Sequence, residues 1–157
     1  MRKLLFWGIW LSCLSITQPL RAQSAEQPPV NYDSSLAQIL AADEYGMRTY
    51  VMALLKRGPN RPENRVEAAR LQQAHMDNIN RLAEEGKLII AGPFLDTGEL
   101  RGIYLFKVTS LEEAEALTAS DPAIAHGSLV MELHPWYGSA ALLQIPELHK
   151  RIQRKQF

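Results

Sequence analysis

Between Glu63 and Glu85 the apolar positions recur at helical spacing, and a histidine stands among them. Counting from Leu71 at about 100° per residue, Leu82 falls at about 20°, His75 at about 40°, Ala68 at about 60° and Ile79 at about 80°. The pattern predicts a long amphipathic helix that carries the His75 ring inward and stops at Gly86, a favourable residue just past a helix end. An imidazole carried inward either finds a hydrogen-bond partner, such as a backbone carbonyl, or lines a cavity. Both outcomes point towards chemistry or ligand binding more than a surface histidine would, although a buried ring satisfied by a backbone carbonyl is also an ordinary packing arrangement.

The remaining pattern is read around that helix. Asp33-Ser34-Ser35 offers an N-cap before Leu36, Ile39 and Leu40, a short helix expected to end near Asp43 to Gly46. Met47 to Lys56 is strand-like, and Gly58-Pro59-Asn60-Arg61-Pro62 breaks it. After Gly86, Lys87 to Ala91 and Arg101 to Val108 read as two strands of a hairpin turned at Asp96-Thr97-Gly98. Ser110 caps a second helix with Glu112 and Glu113 in its first turn. Leu129 to Trp136 is the fourth strand, and the Leu-rich tail from Ala140 reads as a helix interrupted at Pro146.

The order strand, helix, strand, strand, helix, strand predicts an α+β, ferredoxin-like βαββαβ domain with a four-stranded antiparallel sheet and extra helices at both ends. Two helices cover one face of such a sheet. Yet Met52 and Leu54 alternate with Val51 and Leu55, and Ile103 and Leu105 alternate with Tyr104 and Phe106, so both faces are apolar. The economical cover for the second face is a second copy of the sheet, which predicts a homodimer of the dimeric α+β barrel type.

Composition changes the picture at the start of the chain. Met1-Arg2-Lys3, the apolar run Leu4 to Ile16 and the exit Gln18 to Ala22 read as a secretory signal peptide over residues 1–22, with Ser24 and Ala25 as alternative cut sites. The run is too short for a convincing membrane span. Cys13 lies inside the run rather than after a small-residue box at its end, which argues against lipidation. Removing Arg2, Lys3 and Arg21 leaves 14 basic residues against 17 acidic ones, a balance that favours neither nucleic acid nor an anionic surface. The single cysteine leaves with the signal, so the mature chain has no disulfide, thiolate metal site or cysteine nucleophile. Residues 23–33, with Glu26-Gln27-Pro28-Pro29, form a stiffened polar linker, residues 34–139 the domain and residues 140–157 a helical tail ending in Lys150, Arg151, Arg154 and Lys155.

The stretch from Tyr45 to Tyr137 resembles the YciI-like family, also called the YCII-related domain. The resemblance rests on Tyr50-Val51, His75, Gly86-Lys87-Leu88, Ala91-Gly92-Pro93, Ser110 to Ala114, Asp121-Pro122 and Pro135-Trp136. It implies a ferredoxin-like fold, dimerisation and a His and Asp pair at a pocket, which falls here on His75 and Asp121. It also implies that most relatives have no assigned reaction and that a few act on small aromatic compounds. The export signal, the short loop between strands two and three and the basic tail depart from the family pattern.

In that pair, the carboxylate would orient the imidazole for proton transfer, with no metal or other cofactor. Asp121 before Pro122 also reads as an ordinary helix N-cap, and the two roles are compatible because a carboxylate has two oxygens. Lys56, Arg57, Arg61 and Arg65 flank the loop into the long helix, where they either gather an anionic substrate group or form a solvated cluster. Arg57, Arg61 and Trp136 are the candidate substrate-binding residues, with Tyr137 beside Trp136 as a further aromatic wall or as packing. His126 and His134 match no common metal-ligand spacing, and His149 reads as solvated. Ser128 and Ser139 lack a nucleophile-elbow context. The expectation is an exported, periplasmic or secreted, small-molecule-binding protein, either an acid/base enzyme of lyase or hydrolase type or a non-catalytic binding or interaction module.

Overall fold

The computed structural model describes residues 31–155, so the segment read as an export signal lies outside the described residues. Helix α1 (Ser34–Ile39) begins where the Asp33 carboxylate accepts the Leu36 N–H at 2.9 Å. It stops short of the expected Asp43. Ala41 takes a positive φ of 50°, and Asp43 folds the chain into a turn by accepting the N–H groups of Tyr45 and Met47.

Strand β1 (Met47–Arg57) leads to α2 (Arg65–Glu84), β2 (Leu88–Pro93), β3 (Leu100–Phe106), α3 (Leu111–Ala119), the short α4 (Pro122–His126) and β4 (Leu129–Ser139). Asn64 caps α2 by accepting the N–H groups of Val66 and Glu67, and Gly86 follows its last turn at φ 68°. The sheet order is β2-β3-β1-β4, with every neighbouring pair antiparallel, which is the ferredoxin-like arrangement that the element order predicts. β4 runs past the expected Trp136 and accommodates Pro135 opposite Val51, because an edge strand can turn a missing N–H to the outside. In the tail, a 3₁₀ stretch (Ala140–Gln144) precedes α5 (Ile145–Ile152), and Pro146 stands in the first turn of α5 instead of interrupting it.

Side chains alternate across the strands, and each face of the sheet has its own core. On one face Val51, Ala53, Leu55, Tyr104 and Phe106 pack with Leu82 of α2 and Ala114 of α3. On the other, Tyr50, Ile89 and Leu105 pack with Met52, Ile90 and Trp136 beneath Leu142 and Leu143 of the tail. The chain therefore covers one end of its own second face. Leu54 and Ile103 stay half-buried, and Val130 is exposed on the same face.

Candidate functional site

His75 lies on the inward stripe of α2, with 8% of its surface exposed, and the stripe also holds Leu71, Asn78 and Leu82. Asp121 reaches it from a corner of the chain far along the sequence. Ser120 ends α3, Asp121 caps α4, Pro122 opens that helix, and Gly127 closes it at φ 80°. The N–H groups of Gly127 and Ser128 return to the carbonyls of Ile124 and Ala123 at 2.8 and 3.0 Å. The loop after β1 clips the far end of α4 in place. Asn60 donates its backbone N–H to Gly127 O and its side-chain Nδ2 to His126 O, while Gly58 N–H bonds Ser128 O. A Cβ on Gly58 would stand 2.1 Å from Gly127 O, so only glycine permits that approach.

Held in this way, the fully buried Asp121 places Oδ2 at 2.7 Å from His75 Nδ1 and accepts the Ala123 N–H on Oδ1 at 2.8 Å. Both roles open to this residue in the sequence, capping and pairing, are realised with different oxygens. A carboxylate offers only acceptors, so Nδ1 carries the proton that faces it. Nε2 points to Tyr104, whose hydroxyl lies 3.3 Å away and whose ring is nearly parallel to the imidazole at 6.2 Å between centroids. Burial, and then the negative charge of Asp121, push the Tyr104 phenol far above its usual range, so it is the proton donor of this contact. The result is a hydrogen-bonded chain from Asp121 through His75 to Tyr104.

A second polar link steadies the same corner. Asn78 Oδ1 accepts from Arg81 at 2.7 Å and lies 3.0 Å from the Ser120 hydroxyl, one residue before Asp121. Asn78 Nδ2 is buried and unpartnered among the described residues.

The other residues singled out in the sequence lie elsewhere. Trp136 is on the opposite sheet face, with its ring 5.9 Å from Tyr50 and folded over Gly138. Arg61 donates at 3.4 Å to the carbonyls of Gly58 and Ser128, and so braces the loop. Arg57 is exposed at the end of β1, and Arg65 opens α2. Lys56 and His134 both pair with Glu132, on the face shared with Leu54. His126 Nε2 is 3.7 Å from Glu67. Tyr137 donates to Asp43, the residue that turns the chain into β1. Among the described residues, no group of three or more His, Cys, Asp or Glu is placed to hold a metal ion.

Tyr104 and Asn78 were missed in the sequence. Tyr104 counts as an apolar residue in the alternation of β3, and nothing local shows that its hydroxyl meets an imidazole. Asn78 was visible: from Leu71 it falls at about 340°, within the stripe that holds His75.

The fold and this buried acid–imidazole pair define a ferredoxin-like α+β domain with a polar link between its first long helix and the corner before its last strand. The YCII-related domain matches residues 49–137, and the chain belongs to that family. YjpA, an uncharacterized protein of Bacillus subtilis (strain 168), is 38% identical over 63 residues, which are 40% of this chain and 71% of YjpA. The solved structure of 5-chloro-2-hydroxyhydroquinone dehydrochlorinase (TftG) from Burkholderia phenoliruptrix AC1100, in complex with 2,5-dihydroxybenzoquinone, is 17% identical. It covers 55% of this chain and 92% of its own, with a TM-score of 0.42.

Proposed function

We propose that the protein binds a small molecule at His75 and uses the ring, oriented by Asp121, for acid/base chemistry of lyase or hydrolase type. The observation that carries this reading is the 2.7 Å contact between Nδ1 and a carboxylate whose other oxygen is fixed by a backbone N–H. With the proton settled on Nδ1, Nε2 is the nitrogen that can take or give a proton. Tyr104 holds that position in the resting protein, so a ligand reaches it by displacing the Tyr104 hydroxyl.

The same contact supports a second reading, a non-catalytic binding module. Tyr104 and Asp121 between them engage both nitrogens of a buried ring, which is also how a packed histidine is satisfied. Nitrogen-15 NMR of the ring and a thermal-shift screen of phenols, small aromatic acids and lactones separate the two. The catalytic reading expects an Nδ1–H tautomer that is lost in Asp121→Asn, and a stabilising compound whose binding alters the Nε2 signal. A compound that binds equally well to His75→Ala, with any turnover intact, refutes it.

The reading extends to location, as an exported protein of the periplasm or the medium. It is supported by the charged start, apolar run and polar exit over Met1 to Ala22. N-terminal sequencing of the protein recovered from its producing cell checks this: a start within a few residues of Gln23 is expected, and an intact Met1 rules it out.

A further inference from the structure

We propose that α5 and the basic residues after it form a docking face for an anionic lipid surface. Counted from Ile145 at about 100° per residue, Ile152 falls at about 340° and Leu148 at about 300°, so the three form one apolar stripe. Its first member is half-buried where α5 packs against β2, but the stripe then runs off the domain: Leu148 is 52% exposed and Ile152 77%. Leu148 and Ile152 thus lie bare side by side, the kind of short apolar stripe that a helix lying on a membrane sinks into the headgroup boundary.

Cations rim the bare end. Arg151 borders the stripe beside Leu148, His149 borders it on the other side, and Arg154 and Lys155 follow the helix end, all of them exposed. Lys150, on the far side, pairs with Glu147 at 2.8 Å, and Glu147 is the only acid between Ala140 and Lys155. The mild acidity of the whole mature chain therefore conceals a tail of the opposite sign.

The combination selects the occupant. A second copy meeting this helix about a two-fold axis would set cation against cation. A nucleic acid would use the charges and leave Leu148 and Ile152 in water. A bilayer rich in acidic lipids takes both, with the aliphatic side chains entering the headgroup boundary and the basic ones resting on the phosphates. Among the described residues no helix is long and apolar enough to cross a membrane, so the helix lies on the surface. The tail packs on the sheet face opposite His75, which leaves the candidate site clear of the lipid.

The test uses the unit Asp33–Phe157, which contains every described element and both cores and lacks the apolar N-terminal run that would bind lipid by itself. Co-sedimentation is measured with vesicles of phosphatidylcholine alone and with about one-third phosphatidylglycerol. Binding to the anionic vesicles is expected to be about tenfold tighter or more and to weaken with salt. Neutralising Lys150, Arg151, Arg154 and Lys155 to Gln should abolish that preference. Leu148→Ser with Ile152→Ser should weaken binding at unchanged charge, with circular dichroism verifying the fold. No binding, equal binding to both vesicles, or indifference to both sets of substitutions overturns the proposal. So does capture by poly-glutamate without vesicle binding, which would mark an acidic protein as the occupant.

Discussion

At the residue scale, titration follows from who donates to whom. Tyr137 donates a hydrogen bond to Asp43, and that carboxylate raises the Tyr137 phenol to about 12, while the same bond holds the Asp43 carboxyl below its usual range. The raised phenol contributes stability that is complete below pH 10 and is lost as pH rises towards about 12. The lowered carboxyl contributes above pH 3.8 and is lost as pH falls through its depressed value. Tyrosinate absorbance, as wild type minus Tyr137→Phe, should therefore show one phenol titrating near pH 12. In Asp43→Asn that phenol should return towards 10. A Tyr137 that titrates near 10 in the intact protein means that the bond does not form in solution. Tyr104 differs in cause, since its phenol is held up by burial first and by the Asp121 charge second.

At the element scale, the tail acts as a lid on its own sheet. Substituting Leu142 and Leu143 together by Ser should cost about 1–3 kcal/mol in urea unfolding, because both are half-buried against Tyr50, Leu105 and Trp136. In the Asp33–Phe157 unit Trp136 is the sole tryptophan, so its fluorescence should shift to the red as the lid loosens. An unmoved spectrum would mean that the 3₁₀ segment covers nothing. That lid also marks where the sequence stopped being legible. The stripe of α2, the cap at Ser110, the stop at Gly86 and the order of the four strands are written locally, in periodicity and in the residues at element ends. Cover of the second face by Leu142 and Leu143 is a contact between distant segments, and alternation in β1 and β3 says only that some cover is needed. Pro135 is a related case: the sequence places it inside the fourth strand, but the edge position that tolerates it is a property of the sheet. At the site, His75 stood out as a polar residue in an apolar stripe, and the family pattern implied Asp121. Tyr104 was hidden, because a buried tyrosine and a packed one look alike until the partner of the hydroxyl is known.

At the scale of the whole molecule, the open remainder of the second face carries the expectation of a homodimer. Leu54 and Ile103 are half-buried and Val130 is 43% exposed beside the Lys56, Glu132 and His134 group. With one end of the face already covered, the surface left for a partner is smaller than the sheet. We propose that two copies meet there, and light scattering should give twice the chain mass in wild type and the single mass in Leu54→Asp. A wild-type monomer at micromolar concentration removes the proposal. The double duty of Asp121 reaches beyond this chain. Its carboxylate starts α4 as well as steadying the ring of His75. A descendant of this fold that had given up every reaction would still gain from a capping side chain such as this one at that corner. Retention of the aspartate is therefore a poor badge of catalysis, because the start of α4 is by itself reason enough to keep it.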